Sequence, residues 1–399
     1  MEILFADIIK AYRICRKRKT WNPELIEFEI DLFDNLYSLY LEIKEDRYTL
    51  GKSNAFIITN PTPREVFTAA FKDRIMQTYL IMRLGDIMEQ KIFYKDSYAC
   101  QKGKGGLQAI HAVQDLIKEL SNDYTEDCYI GKLDVKSFFN NIDKEIGVQF
   151  LEDVLDKYYD GYDKETLRML IRKIVWHYPP DDFKRINSKR LWKKLPEGKS
   201  MIGSPRYKGV PIGNINSQYL ANLILTVLDY FIKYNLGIRH VRYMDDFTMV
   251  DKDLKKILKA IPEIEKLLRD TLKLKLHPDK KYIQHFSKGV KFIGGVIKPN
   301  RTYISSRTVH NFRIKMRKIN RRASFEGYSI KQLEKDASTI NSYLGIMCQH
   351  SSWKLRKEFV DSISKDLWKY IMVGGHFSKV IIRKKYKRRT ILLNEFLAA

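Results

Sequence analysis

Three aspartates stand where strand and turn patterning would let carboxylates do chemistry. Leu133-Asp134-Val135 closes a strand-like run that begins at Tyr129, and Tyr243-Met244-Asp245-Asp246 falls at the bend of an alternating segment over residues 239–250. Carboxylate oxygens are hard ligands suited to Mg²⁺. Two such ions close together can activate a hydroxyl and neutralise a triphosphate, which is what nucleotidyl transfer requires. If the two strands are neighbours, the three side chains converge and their mutual repulsion favours a bound cation. The plain alternative is turn chemistry: Asp is a common turn residue, and an isolated Asp-Asp at a bend is more often solvated than catalytic.

The elements that would position these acids can be read coarsely. A helical pattern covers residues 25–43, and basic loops surround Lys52 and Arg64. A strand from Tyr129 is followed by a turn and a helix over 144–158. Residues 179–213 are rich in Pro, Gly, Lys and Arg and read as loop or irregular hairpin. Helix returns over 216–234, a strand–turn–strand covers 239–250, another helix spans 254–274, and a hairpin over 290–304 turns at Pro299-Asn300. After Ser305 the pattern is helical and basic, with a second cationic cluster at 379–389.

Charge narrows the partner. Of 399 residues, 73 are Lys or Arg and 48 Asp or Glu, a net charge of +25. Such a surplus repels itself in a compact chain, so a polyanion is the expected partner: nucleic acid first, an anionic membrane second, the ribosome third. The first eighteen residues do not read as a signal peptide, because Glu2, Asp7, Lys10 and Arg13 break the apolar run. The longest apolar stretch, residues 219–232, is interrupted by Asn222 and Asp229 and is too short to span a bilayer. Cys15, Cys100, Cys128 and Cys348 are scattered without a C-x-x-C pair, which argues against a zinc ribbon and for a reducing compartment. His277, His285 and His350 are isolated. A soluble cytoplasmic protein without a membrane partner is expected.

In their order along the chain, six blocks resemble those of reverse transcriptases. Tyr243-Met244-Asp245-Asp246 resembles the catalytic hairpin of that family, and Leu-Asp-Val-Lys-Ser-Phe-Phe at 133–139 its first acidic motif. Pro63-Arg64-Glu65 with Phe71-Lys72-Asp73-Arg74 resembles the fingers block, and Ser-Tyr-Ala-Cys-Gln-Lys-Gly-Lys-Gly at 97–105 the next one. Leu276-His277-Pro278-Asp279-Lys280 and Lys291-Phe292-Ile293-Gly294-Gly295 resemble the last two. A lone Y-x-D-D is weak; the ordered set is specific.

The resemblance implies an α+β right-hand polymerase. Fingers would cover residues 1–120, and a palm with an antiparallel sheet 121–304, with a fingers/palm insertion near 145–208. A basic helical thumb would cover 305–399. It implies RNA-directed DNA synthesis on two Mg²⁺ ions, with Mn²⁺ able to substitute. Asp134, Asp245 and the Val135 carbonyl would hold the ions, and Asp246 would stand further back. Template RNA, the RNA/cDNA duplex and deoxynucleoside triphosphates are the implied partners.

Other positions follow from the same resemblance. Arg64 and Lys72 would approach the triphosphate, although Thr62 stands where the family often has another basic residue. Phe139, five residues after Asp134, occupies the place of a steric gate that collides with a ribose 2′-hydroxyl, and Phe138 reads as core. Lys280 would stand near the pyrophosphate as a proton donor, with Lys281 where Thr is common, so the assignment between the two lysines stays open. Lys102 and Lys104, in a glycine-rich segment without P-loop spacing, would meet the template. Arg307, Arg313, Arg317 and Arg321 would follow the duplex.

The string at 209–218, Gly-Val-Pro-Ile-Gly-Asn-Ile-Asn-Ser-Gln, has Ile212 where most reverse transcriptases carry Gln, and Ser217-Gln218 where they carry Ser-Pro. This variant resembles the enzymes of bacterial and phage diversity-generating retroelements. It implies copying of a template-repeat RNA into cDNA with errors at adenines during mutagenic retrohoming, together with a small basic oligomeric accessory variability protein. Gly213 and Gln218 join Ile212 at the implied nucleotide site. Ile212 offers no donor or acceptor, so it either loosens fidelity or only packs the start of the next helix. The competing readings are a retron-like, defence-associated or group II intron-derived reverse transcriptase, and a non-catalytic RNA-binding scaffold.

Overall fold

The computed structural model describes residues 1–19, 22–59, 62–325 and 328–387. The chain is α+β and divides into two compact units, residues 1–109 with 128–283 and residues 110–127 with 284–399.

The first unit opens with helices Phe5–Arg16, Pro23–Ile30 and Leu32–Lys44. The helix expected over 25–43 is two helices, because Asp31 leaves helical geometry at φ −114° and ψ 51°. Strands β1 (Ser53–Ile58) and β2 (Arg64–Thr68) pair antiparallel, and helix Phe71–Ile87 follows. β3 (Tyr129–Asp134) leads to helix Lys144–Tyr158, whose N-terminus is capped by the Asp143 carboxylate. The expected irregular stretch at 179–213 contains only short 3₁₀ turns and β4 (Phe183–Arg185), which joins β1 in parallel. Helix Ile215–Tyr230 is buried on almost every side. It precedes β5 (Arg239–Tyr243) and β6 (Asp246–Asp251), and helix Leu254–Leu272 follows.

With β7 (Tyr282–His285) at one edge, the sheet order is β5-β6-β3-β7. Leu133 lies opposite Phe247 and Ile130 opposite Val250, all buried. The two pairs point to opposite faces, so β3 and β6 are covered on both sides. On helix Leu254–Leu272, Ile257, Ala260, Ile264, Leu268 and Leu272 are buried at helical spacing, and the helix packs on β3 and β6. Gly131 makes that approach possible, since a Cβ there would lie 2.7 Å from Ile257 Cγ2. Each Ile or Leu side chain so buried contributes about 1.5–3 kcal/mol relative to exposure.

In the second unit β8 (Val290–Phe292), β9 (Gly295–Lys298) and β10 (Arg301–Ile304) form an antiparallel meander. The expected strand over 290–297 is cut at Ile293-Gly294, where both φ angles are positive, 46° and 78°. Helices Ser306–Ala323 and Ile330–Cys348 follow, with Phe312, Met316, Ile319, Leu333, Ile340 and Leu344 in a core of their own. The expected helical tail is interrupted by a hairpin, β11 (Ile371–Gly374) with β12 (Lys379–Ile382). Gly375, His376 and Phe377 all have positive φ in its turn, a geometry that a helix cannot continue through. Of the cationic cluster expected at 379–389, Arg388 and Arg389 lie outside the described residues. No described helix is long and apolar enough to cross a membrane.

Candidate active site

β5 and β6 are joined by two residues, Met244 and Asp245, with Tyr243 opposite Asp246 across the ladder. Met244 sits at φ +55°. A turn of this kind favours glycine first, and a side chain in the left-handed region costs on the order of 1–3 kcal/mol. The strain persists because the ground beneath it is rigid. Arg242, fully buried, donates from Nη1 to the Met244 carbonyl at 3.1 Å and from Nε and Nη2 to the Asp229 carboxylate at 2.9 and 2.7 Å. Asn222 Oδ1 accepts a further bond from Arg242 at 3.0 Å, and His240 Nε2 donates to Asp229 at 2.9 Å. Burial alone would raise Asp229; Arg242 and His240 overcome it and hold the carboxylate below its usual range.

Asp134 faces Asp246 directly across β3 and β6, with Asp245 on the adjoining turn. Like charges directly opposite on a sheet repel, and lysines offset them. Lys132 Nζ lies 2.9 Å from Asp246 Oδ2, and Lys280 Nζ lies 2.9 Å from Asp134 Oδ2. Burial raises Asp245, and the charge of Asp134 adds to the rise. Burial likewise pushes Asp246 up to about 6 against the pull of Lys132. Asp246 Oδ1 is buried and accepts no hydrogen bond. Among the described residues, no group of three His, Cys, Asp or Glu side chains is gathered as a metal-holding set. The donor chemistry nevertheless fits hard divalent ions: crowded, desolvated carboxylates, one with an oxygen that has no partner.

Backbone pairing explains how Lys280 arrives. Asp134 O accepts from His277 N at 2.8 Å, Lys136 N donates to Lys275 O at 2.8 Å, and Val135, buried, bridges to Leu276. The next turn then carries Lys280 over Asp134. Lys281 pairs instead with Glu265, so geometry separates the two lysines that sequence left undivided.

The other expected positions are more dispersed. Phe138 is buried, and Phe139 is half-buried beside it at 5.6 Å between ring centroids. The Phe139 carbonyl accepts from Val210 N, and the Ile212 carbonyl from Phe67 N on β2. Gly213, at φ +124°, has no room for a Cβ, which would lie 2.8 Å from Val66 Cγ1. Gln218 Oε1 accepts from Cys100 Sγ. Arg64 is exposed at the start of β2. Lys72 pairs with Glu42 at 2.9 Å, Lys102 with Asp86, and Lys104 Nζ caps the carbonyls of Lys95 and Ser97. In the second unit Arg313, Arg317 and Arg321 share an exposed helix face, with Arg313 bonded to Glu358, and Arg307 is exposed on the first turn of the same helix.

Sequence reasoning overlooked Lys132, Lys199, Glu65 and the Asp229–Arg242 pair. Lys132 carried a usable signal, since two residues before Asp134 on a strand is the same face. The others carried none, because their partners are distant in sequence.

Antiparallel pairing of β6 with β3 and β5 thus brings three aspartates to one end of the central sheet, in a chain of net charge +25. Residues 59–297 match the family model described as reverse transcriptase (RNA-dependent DNA polymerase), and the chain belongs to that family. It is 24% identical over 308 residues to Protein YkfC of Escherichia coli (strain K12), covering 67% of this chain and 70% of that protein. Among solved structures it is similar to telomerase from Candida albicans in complex with a TWJ fragment of telomeric RNA, at 13% identity and TM-score 0.46, covering 83% of this chain and 59% of that one. It is also similar to apo telomerase from Candida tropicalis, at 12% identity and TM-score 0.44, covering 85% of this chain and 62% of that one. The chain thus spans less than two thirds of either telomerase chain.

Proposed function

We propose that this protein polymerises DNA on an RNA template at Asp134, Asp245 and Asp246, and that it serves a diversity-generating retroelement. One observation carries the first part: Asp134 and Asp246 stand opposite each other on neighbouring strands with Asp245 on the intervening turn, all close enough to perturb one another. Two Mg²⁺ ions held there would activate the primer 3′-hydroxyl and neutralise the triphosphate and leaving pyrophosphate. Asp134, Asp245 and the Val135 carbonyl are the proposed ligands, with Asp246 behind them. Lys132 and Lys280 would give up their present carboxylate contacts to the ions; Lys280 is then free to donate a proton to the leaving group. Fingers over 1–120, palm over 121–304 and thumb over 305–399 are the proposed division of labour, with Arg317 and Arg321 toward the duplex. Primer extension with purified protein, RNA template and Mg²⁺, with Asp245→Asn as the control, tests the reading.

Phe139 is proposed as the sugar gate, on its position in the motif and its half-buried ring. Phe139→Ala should raise ribonucleotide relative to deoxynucleotide incorporation at least about tenfold, the scale on which a pocket rejects one extra group. An unchanged ratio removes Phe139 from that role.

The second part is supported by the string at 209–218 and by the segment at 97–105. Ile212 there has no amide with which to check pair geometry, and misincorporation opposite template adenine is the proposed consequence. Sequencing cDNA made on a defined template should show errors concentrated at adenines, and Ile212→Gln should reduce them. Equal, low error at all four bases would favour the retron-like, defence-associated or intron-derived alternatives. An adjacent pair of template and variable repeats in the genome separates these from the proposed role, as does binding of a small basic accessory protein.

A further inference from the structure

The triphosphate grip is incomplete as sequence describes it. Thr62 stands where a second fingers cation is often found, and Lys72 is engaged by Glu42. A different lysine arrives from the long irregular stretch. Glu65, buried next to Arg64 on β2, accepts from Trp192 Nε1 at 2.7 Å, from Ser200 Oγ at 2.8 Å and from Met201 N at 2.6 Å. Tyr178 OH adds bonds to the carbonyls of Met201 and Ser204 at 2.6 and 2.9 Å. One carboxylate therefore clamps the loop on both sides of Lys199. The adjacent residue Arg64 lies on the same strand.

We propose that Lys199, held by the Glu65 clamp, joins Arg64 in gripping the triphosphate of the incoming nucleotide. This rests on the polymerase reading above. Lys199 lies within electrostatic range of Asp134 and Asp245 and of the cations Lys280 and Arg64. Protein packed around the ammonium and repulsion from Lys280 and Arg64 lower Lys199, while Asp245 and Asp134 pull the other way. A polyanion entering this cluster would relieve that repulsion and gain charge-assisted bonds. Glu65 is a positioning residue in this scheme, because its hydrogen bonds reach the loop and not the nucleotide.

Steady-state single-nucleotide extension reads the effect. Lys199→Ala should raise KM for the deoxynucleoside triphosphate on the order of tenfold, the loss of one hydrogen bond to a charged group, with kcat and primer–template affinity unchanged. Inhibition by inorganic tripolyphosphate should weaken in parallel, and Lys199→Arg should restore both. Glu65→Gln should raise the same KM, and its combination with Lys199→Ala should be less than additive, because both remove one contact. Wild-type protein that extends a primer while Lys199→Ala keeps its nucleotide KM overturns this inference alone. Wild-type protein that cannot extend a primer overturns the polymerase reading and this inference together.

Discussion

Asp245→Asn protein is expected to remain folded and to lose primer extension by at least about 10³-fold, since divalent-ion stabilisation of a phosphoryl transition state is worth several kcal/mol. Asn keeps the size of the side chain and one oxygen but removes the charge that a metal would balance. The stability side of the prediction is equally specific. Asp245 is desolvated and repelled by Asp134, so in the absence of metal its charge destabilises the fold. Replacing it should leave the melting temperature equal to or above that of wild type. Asp134→Asn should lose extension on the same scale, and the double variant should be little worse in extension than either, as expected when residues act as one unit. Extension assays paired with thermal melts check this. Activity retained in Asp245→Asn would end the catalytic assignment, and activity lost together with a large fall in melting temperature would show unfolding instead.

The second large effect lies beneath the turn. Asp229→Ala should destabilise the protein by about 3–5 kcal/mol, because it leaves the buried Arg242 guanidinium without its counter-charge. The pair is fully buried, so solvent does not take the carboxylate's place. Arg242 also bonds the carbonyl of strained Met244, and the turn that carries Asp245 should loosen when its support goes. Urea unfolding measures the first effect and kcat the second. A loss under about 1 kcal/mol would place the pair among those whose desolvation cancels their attraction. The sign with pH follows: Asp229 is held below the ordinary carboxylate range, so its stabilisation is present at neutral pH and is lost as pH falls through that depressed value.

Much of the site was legible because the relevant residues are neighbours in sequence. Asp134 announced itself by ending a strand pattern, and Asp245-Asp246 by bending one. The helices expected at 144–158 and 254–274 followed from apolar periodicity, and they are present as Lys144–Tyr158 and Leu254–Leu272. What escaped was of two kinds. Backbone breaks at Asp31 and Ile293-Gly294 defeat periodicity, because one residue leaving its region of φ and ψ changes no hydrophobic pattern. Loop geometry at 179–213 was opaque because a segment without period has no face to read, and only the bonds of Glu65 to Ser200 and Met201 fix the neighbours of Lys199.

By itself the sequence determined the class of chemistry and the order of the motifs, since each depends on residue type and on local spacing. Only the tertiary structure decided which lysine meets which aspartate and what supports the strained turn at Met244. Most of these are contacts between residues more than a hundred positions apart: Glu65 with Met201, Asp134 with Lys280, Lys132 with Asp246. Chain closure over such distances is settled by the packing of the whole core, and no local pattern encodes it.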